Sequence, residues 1–172
     1  MPGEAAELCE AVGAVLKPQS RAMTHPPPAY HPPLTDTARW LGNLGLLPFV
    51  CGALVVWVRL EPDLHAFVIA AMSAYAGLIL SFLGGVHWGF AFRQTAPPAS
   101  LFVWGVVPSL LGWVAVMMPP HAGLVLHGVL LVVCYLVDRR VYPVQGAAHW
   151  LTLRFRLSSV AALSCFLAAA GS

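Results

Sequence analysis

Apolar residues dominate the chain from residue 40 onward, and they occur in long continuous runs rather than in alternation with polar ones. The runs cover residues 40–58, 64–92, 99–118, 121–137 and 151–170. An α-helix needs about 20 mostly apolar residues to cross roughly 30 Å of hydrocarbon. The pattern therefore predicts an all-α integral membrane bundle of about five transmembrane helices. The fifth run is the weakest, because Arg154 and Arg156 lie near its start, and it spans the membrane only if those side chains reach back to the interface.

Residues 1–39 are polar by comparison, and we predict that they form a disordered, Pro-rich cytoplasmic tail. The stretch from His25 to Pro33 is too rich in proline for helix or sheet, because proline lacks an amide donor and has a fixed φ. The first 22 residues lack the long apolar core and small-residue cleavage site of a signal peptide. Met23 is an alternative start, so translation of residues 1–22 is left open.

Composition agrees with a membrane protein. The chain is 59% hydrophobic and only 9% charged, whereas soluble domains are about 25% charged. The predicted loops are short and leave no room for a domain outside the bilayer. We therefore expect the lipid bilayer as the main surroundings, another membrane-protein subunit as the expected partner, and no nucleic acid.

The positions of the basic residues predict the orientation, because Lys and Arg near the ends of spans are retained on the cytoplasmic side. With five alternating spans, Arg59 alone lies on one side of the membrane. The other side carries Lys17, Arg21, Arg39, Arg93, Arg139, Arg140, Arg154 and Arg156. The N-terminus is thus predicted to be cytoplasmic, in the inner (plasma) membrane of a bacterium or, if the protein is eukaryotic, in the mitochondrial inner membrane.

The second run contains small residues at an unbroken spacing of four: Ser73, Gly77, Ser81, Gly85 and Gly89. Small residues at this spacing allow another helix to approach closely in lipid. Each step of four residues rotates by about 40° around an α-helix, so this small-residue ridge should wind around its helix and suit a crossing partner. The partner is either another helix of this chain or a foreign subunit.

Several residues within the runs are candidates for a ligand-binding role. Pro48 and Pro108 each remove a backbone hydrogen bond and should kink their helices. His87 and His127 are ionisable groups at membrane depth, which favours a functional role. Because they are predicted at opposite depths, they should not ligate one haem iron together. An alternative is that His127 meets His65 and His121 near the outer surface and binds a metal ion.

Asp138 follows the fourth run, which places it at the end of the helix, and the five predicted spans themselves contain no Asp or Glu. Together with the arginines on either side of the fourth loop, this end of the chain predicts a basic cytoplasmic patch facing anionic lipid headgroups.

No sequence motif for catalysis, nucleotide binding or metal binding is present, so we predict no enzyme activity, no catalytic residues, no metal and no cofactor. Ser81 and His87 are the nearest nucleophile and base on one helix. Six residues of α-helix separate their side chains by about 120°, which makes them a poor catalytic pair.

Three segments resemble a known family: Leu41–Phe49, Tyr75–Ala91 with the string Ser-Phe-Leu-Gly-Gly-Val-His-Trp, and Gly105–Trp113. They are similar to domain of unknown function 3429, a family of small multi-pass inner-membrane proteins of proteobacteria with a mitochondrial branch called transmembrane protein 69. The resemblance covers roughly residues 38–170 and supplies no activity. It draws attention to the positions that carry the family pattern, which are Ser81, Gly84, Gly85, His87, Trp88, Pro108 and Ser109.

From these observations we predict a non-enzymatic accessory or assembly partner of a membrane complex, with the small-residue ridge as its contact face. The alternative is a membrane protein that binds a small molecule, haem or metal, or a minor transporter, using intramembrane histidines.

Overall fold

A computed structural model of the chain describes residues 35–58 and 61–172. The predicted Pro-rich tail lies outside these residues except for its last five positions, and so does Arg59. Within the described residues every regular element is a helix.

The first apolar run forms two helices rather than one. Thr35 caps the N-terminus of α1 (Asp36–Leu44) by accepting a hydrogen bond from the amide of Ala38. The second helix, α2, covers Leu47–Val56, with Pro48 in its first turn, where proline is tolerated because the amide has no partner there. Where a kink at Pro48 was predicted, the helix is interrupted completely between Leu44 and Leu47. The first helix begins at Asp36, four residues before the predicted start at residue 40.

The remaining helices follow the other four runs. They are α3 (Pro62–Phe92), α4 (Ala99–Met117), α5 (Pro120–Val144) and α6 (Leu151–Ala170), the last preceded by a single 3₁₀ turn at Ala148–Trp150. Gly146, with φ at 72°, makes the turn between α5 and α6. The α4 helix continues through Pro108 without interruption.

The predicted helix end at Asp138 to Arg140 is wrong, because α5 continues to Val144. Asp138 consequently lies inside the helix and is only 1% exposed. The statement that the spans contain no acidic residue is wrong for the same reason.

Packing of the helices follows their order along the chain. The α3 helix packs along α4, α5 packs along α6, and α2 contacts both α6 and α3. The core between them includes Leu80, Leu124, Leu131 and Cys165. Close approach of α3 and α4 depends on glycine, because a Cβ atom added at Gly84 would meet the carbonyl oxygen of Gly105.

The outer surface of this bundle is apolar. Leu78 and Phe82 on α3 are each 67% exposed, and Trp113 on α4 is 64% exposed. Among the described residues, five segments are long and apolar enough to cross a membrane: Asp36–Val56, Pro62–Phe92, Ala99–Met117, Pro120–Val144 and Ala148–Ala170. The predicted all-α bundle of five candidate spans is confirmed.

Candidate functional site

Three ionisable side chains from three different helices meet at one end of the bundle. They are His87 near the end of α3, Asp138 near the end of α5 and Arg154 near the start of α6. His87 and Asp138 are each 1% exposed, and the side chain of Arg154 is 11% exposed. We call these three residues the charged cluster. Ionisable groups within membrane spans commonly pair with one another inside the bundle, and they commonly mark functional sites.

The two oxygens of Asp138 have different partners. Oδ2 accepts a hydrogen bond of 2.9 Å from Nε of Arg154 and a second from Nη2 of the same side chain. Oδ1 lies 3.4 Å from Nε2 of His87, which is within ion-pair distance. These two atoms are not aligned as a hydrogen bond, and neither has another partner among the described residues.

The orientation of the His87 ring determines which nitrogen faces Asp138. Nδ1 lies 3.2 Å from the carbonyl oxygen of Leu83, one turn earlier on the same helix. A carbonyl oxygen can only accept a hydrogen bond, so Nδ1 donates and carries a proton. Nε2 is then left to face the carboxylate of Asp138. The cluster thus places a buried imidazole nitrogen and a buried carboxylate oxygen side by side without a hydrogen bond between them.

Aromatic rings and an amide pair enclose this end of the bundle. The ring of Tyr142 lies 6.4 Å from His87 and 5.3 Å from Phe90, between centroids. The side-chain amide of Gln94 donates to Oε1 of Gln145 at 2.9 Å, which ties the loop after α3 to the end of α5. These contacts hold the helix ends together around the charged cluster.

An apolar groove on the outside of the bundle reaches His87. Its volume is about 310 Å³, at the lower end of the range of about 300–1,000 Å³ for small-molecule sites. The groove is open to the surroundings of the bundle. Its walls come from α3, the first turns of α4 and the last turns of α5, through His87, Ser100, Leu101, Val103, Trp104, Val137 and Val141.

Sequence reasoning missed Asp138 and Arg154 as partners, although a signal was present. Along α5, the residues Leu131, Cys134, Asp138 and Tyr142 recur every three or four positions, and all four are buried. This spacing places them on one helix face. Arg139 and Arg140 indicated a helix end at the membrane surface. For that reason the spacing was not followed past Cys134 to Asp138 and Tyr142.

The small-residue ridge is divided between two environments, as its predicted winding implies. Ser73 is buried, and Gly77 faces α4 near Val116 and Gly112. Gly85 and Gly89 are exposed, and nothing lies within 4 Å of a Cβ atom added at either. Ser81 is also exposed, and its hydroxyl donates to the carbonyl of Gly77 at 3.0 Å.

The other pattern-bearing residues have structural contacts. Trp88 covers Gly105 and donates from Nε1 to the carbonyl of Phe102 at 3.0 Å. Pro108 is buried, and Ser109 is half-buried. Neither lines the groove at His87.

The predicted outer histidine group does not form a metal site. His121 pairs through Nδ1 with the carbonyl of Ala169 at 2.8 Å, and His127 is completely buried against the backbone of Gly112 and Gly123. In residues 35–58 and 61–172, no three His, Cys, Asp or Glu side chains are grouped so as to hold a metal ion. The alternative of a metal ion bound by His65, His121 and His127 is therefore not supported.

The two buried histidines lie at different depths, as predicted. His127 packs beside Gly77 of α3. His87 follows Gly77 by ten residues on the same helix, which corresponds to about 15 Å at 1.5 Å per residue. They belong to separate sites, and this geometry does not support a haem held by both.

Comparison with known proteins agrees with this architecture. The family described as "Protein of unknown function (DUF3429)" matches residues 34–170. The chain belongs to this family. Over 83 residues it is 39% identical to transmembrane protein 69 of Xenopus tropicalis, a region that is 46% of this chain and 32% of the relative. The chain thus spans only about a third of that relative's length. No solved structure matches the chain.

Membership of this family leaves the activity open, since the family is one of unknown function. The relative's name agrees with a protein that resides in a membrane.

Proposed function

We propose that this protein is a non-enzymatic membrane protein that binds a lipid-soluble molecule in the groove beside His87. The observation that carries the proposal is that His87 lines an apolar groove open to the outside of the bundle, while its buried Nε2 lies 3.4 Å from Oδ1 of Asp138 and makes no hydrogen bond. Buried polar atoms are nearly always hydrogen-bonded. A ligand with an apolar body and one polar group would complete this arrangement.

The groove has the composition expected of such a site. Small-molecule sites are mostly apolar, with a few polar groups that orient the ligand. Here Trp104, Val137 and Val141 form apolar walls, and His87 supplies the polar group. Ser81, the only nucleophile paired with His87 in the sequence analysis, is exposed while His87 is buried. That separation supports binding rather than catalysis.

Purification of the full-length protein from its native membrane in a mild detergent tests this proposal. Mass spectrometry should find one enriched small molecule in about equimolar amount. Val141→Trp fills the groove and should reduce the bound amount about tenfold, the loss expected for about 1.4 kcal/mol of binding energy. Val144→Trp is the matched control, because Val144 is 82% exposed and does not line the groove. Equal small-molecule content in all three proteins would contradict the proposal.

A second candidate function, as an accessory or assembly partner of a membrane complex, is supported by the exposed half of the small-residue ridge. Gly85 and Gly89 leave space on the surface of α3, and Phe82 and Phe92, exposed by 67% and 72%, lie on the same side by helical spacing. A transmembrane helix of another subunit would fit against such a surface.

Gly85→Leu places a side chain in that space, where nothing lies within 4 Å of an added Cβ atom, so it should preserve folding and release a stoichiometric partner during purification. The control is Leu163→Trp on α6, at a position that is 58% exposed. Purification of free monomer from both wild type and control would count against this candidate. The proposed location for either function is the inner membrane, which is supported by the family resemblance.

A further inference from the structure

The N-terminus of a long helix lines one part of the groove through Ser100 and Leu101, and we call this part the mouth. The α4 helix has 19 residues, begins at Ala99 after Pro98, and has no side-chain cap. The amide of Leu101 donates to the carbonyl of Pro98 at 3.1 Å. The amides of Ala99 and Ser100 precede the first residue that has a carbonyl partner of this kind. Aligned peptide dipoles add partial positive charge at this end, which favours an anion. Ser100, in the same turn, is exposed and lines the groove.

An arginine lies beside the same mouth on α5. Arg140 is one residue before Val141 and three after Val137, and both valines line the groove. Helical spacing therefore places Arg140 on the groove side of α5. Arg140 is exposed and makes no ion pair with a described residue, because Asp138 pairs with Arg154. Arg139 is also exposed, but helical rotation of about 100° per residue directs it away from the groove.

The interior of the groove differs from its mouth. Its walls are apolar, and its volume of about 310 Å³ sits at the lower end of small-molecule sites, in keeping with a single chain rather than a bulky ligand. His87 is the polar residue of the inner wall, 1% exposed, and its Nε2 makes no hydrogen bond, although it lies 3.4 Å from Oδ1 of Asp138. Positive groups at the mouth, an apolar interior and one buried polar nitrogen together form an amphiphilic site.

We propose that the groove takes a single-chain anionic amphiphile, with its carboxylate or phosphate headgroup between Arg140 and the N-terminus of α4. The alkyl chain lies along Trp104 and Val137. A carbonyl or hydroxyl group adjoining the headgroup is the hydrogen-bond partner of His87. This inference rests on the proposed small-molecule function and names the ligand class.

The test uses full-length protein in a neutral detergent at low salt, stripped of native lipid, with three probes that share one chain length: dodecyl phosphate, dodecanoate and dodecanol. Binding is measured by calorimetry. We expect at least one anionic probe to bind about tenfold more tightly than dodecanol, as a charge-assisted hydrogen bond predicts. The stronger of the two anionic probes distinguishes a phosphate ligand from a carboxylate ligand.

Two variants with the same change of charge locate the headgroup. Arg140→Gln should remove the preference for the anionic probe, whereas Arg139→Gln should keep affinity within about twofold of wild type, as expected for an exposed charge outside the site. Equal losses in both variants would indicate attraction by the basic surface as a whole and would overturn the inference. Equal affinity for dodecanol and both anionic probes would also overturn it.

The outcomes separate this inference from the proposed function on which it rests. If Val141→Trp abolishes binding of all three probes while Arg140→Gln changes none, the groove binds lipid-soluble molecules without selecting an anion. If no probe binds and no native small molecule co-purifies, both proposals fail.

Discussion

Nε2 of His87 lies 3.4 Å from Oδ1 of Asp138, and both side chains are buried where three membrane helices meet. The opposite nitrogen of the ring is held by the carbonyl of Leu83, so the ring cannot present a different atom without losing that bond. The contact joins α3 to α5, while Arg154 joins α5 to α6. A chain of polar contacts thus links the three helices at one end of the bundle.

The protonation of His87 is a first testable consequence. Because Nδ1 donates to a carbonyl, we expect it to carry a proton, in either the neutral or the charged form of the ring. Solid-state ¹⁵N spectra of protein labelled at histidine in lipid bilayers would show this, with His87→Gln used to assign the signal. A neutral ring protonated only at Nε2 would contradict the arrangement.

The ion pair between Asp138 and Arg154 should stabilise the folded protein mainly because each side chain prevents the other from being an isolated buried charge. Removal of either partner alone, by Asp138→Leu or Arg154→Leu, should lower the free energy of unfolding by about 3–5 kcal/mol. The double variant should lose clearly less than the sum of the two single losses. Reversible unfolding in mixed micelles measures all three proteins.

The matched control for this pair is Arg156→Leu. Arg156 is exposed and lies two residues after Arg154 in the same helix. Its replacement should change the free energy of unfolding by no more than about 0.5 kcal/mol, as for most surface positions. Additive losses in the double variant would show that the two buried side chains do not depend on each other.

Two adjacent glycines on α3 should respond in opposite ways to one added methyl group. Gly84→Ala introduces a Cβ atom against the backbone of Gly105, and overpacking of this kind costs about 1–3 kcal/mol. Gly85→Ala adds a Cβ atom in open space, so stability should be unchanged or slightly higher. Thermal unfolding in detergent compares the two, and equal midpoints would contradict the close contact of α3 and α4.

The orientation of the protein is the fourth prediction. Five spans place the loop at Thr95 on the cytoplasmic side, together with the turn at Gly146, and place the loop at Met118 on the other side. The expected result is that Thr95→Cys is labelled by an impermeant maleimide only after the cytoplasmic face is opened. Met118→Cys should be labelled in intact cells, and the reverse pattern would show the opposite orientation.

Asp138 illustrates what could and could not be predicted from the sequence. The apolar run before it correctly predicted a membrane helix, but the charge cluster that begins at Asp138 indicated a helix end. The helix instead continues to Val144, and within it the carboxylate of Asp138 pairs with Arg154 of the next helix. Such compensation between distant residues is invisible in the local pattern. The residues that line the groove were likewise not predictable from the sequence, because they depend on how the ends of α3, α4 and α5 meet.

The number of candidate membrane spans, their helical type and the winding of the small-residue ridge follow from the sequence alone. These properties depend on hydrophobic length and helical periodicity, which are local along the chain. Only the tertiary structure decided that Gly77 packs inside while Gly85 and Gly89 face outward, and that His87 meets Asp138 rather than another histidine. The reason is rotational: where a helix is apolar on every side, the sequence pattern hardly limits which face turns inward, and the fit between neighbouring helices selects it.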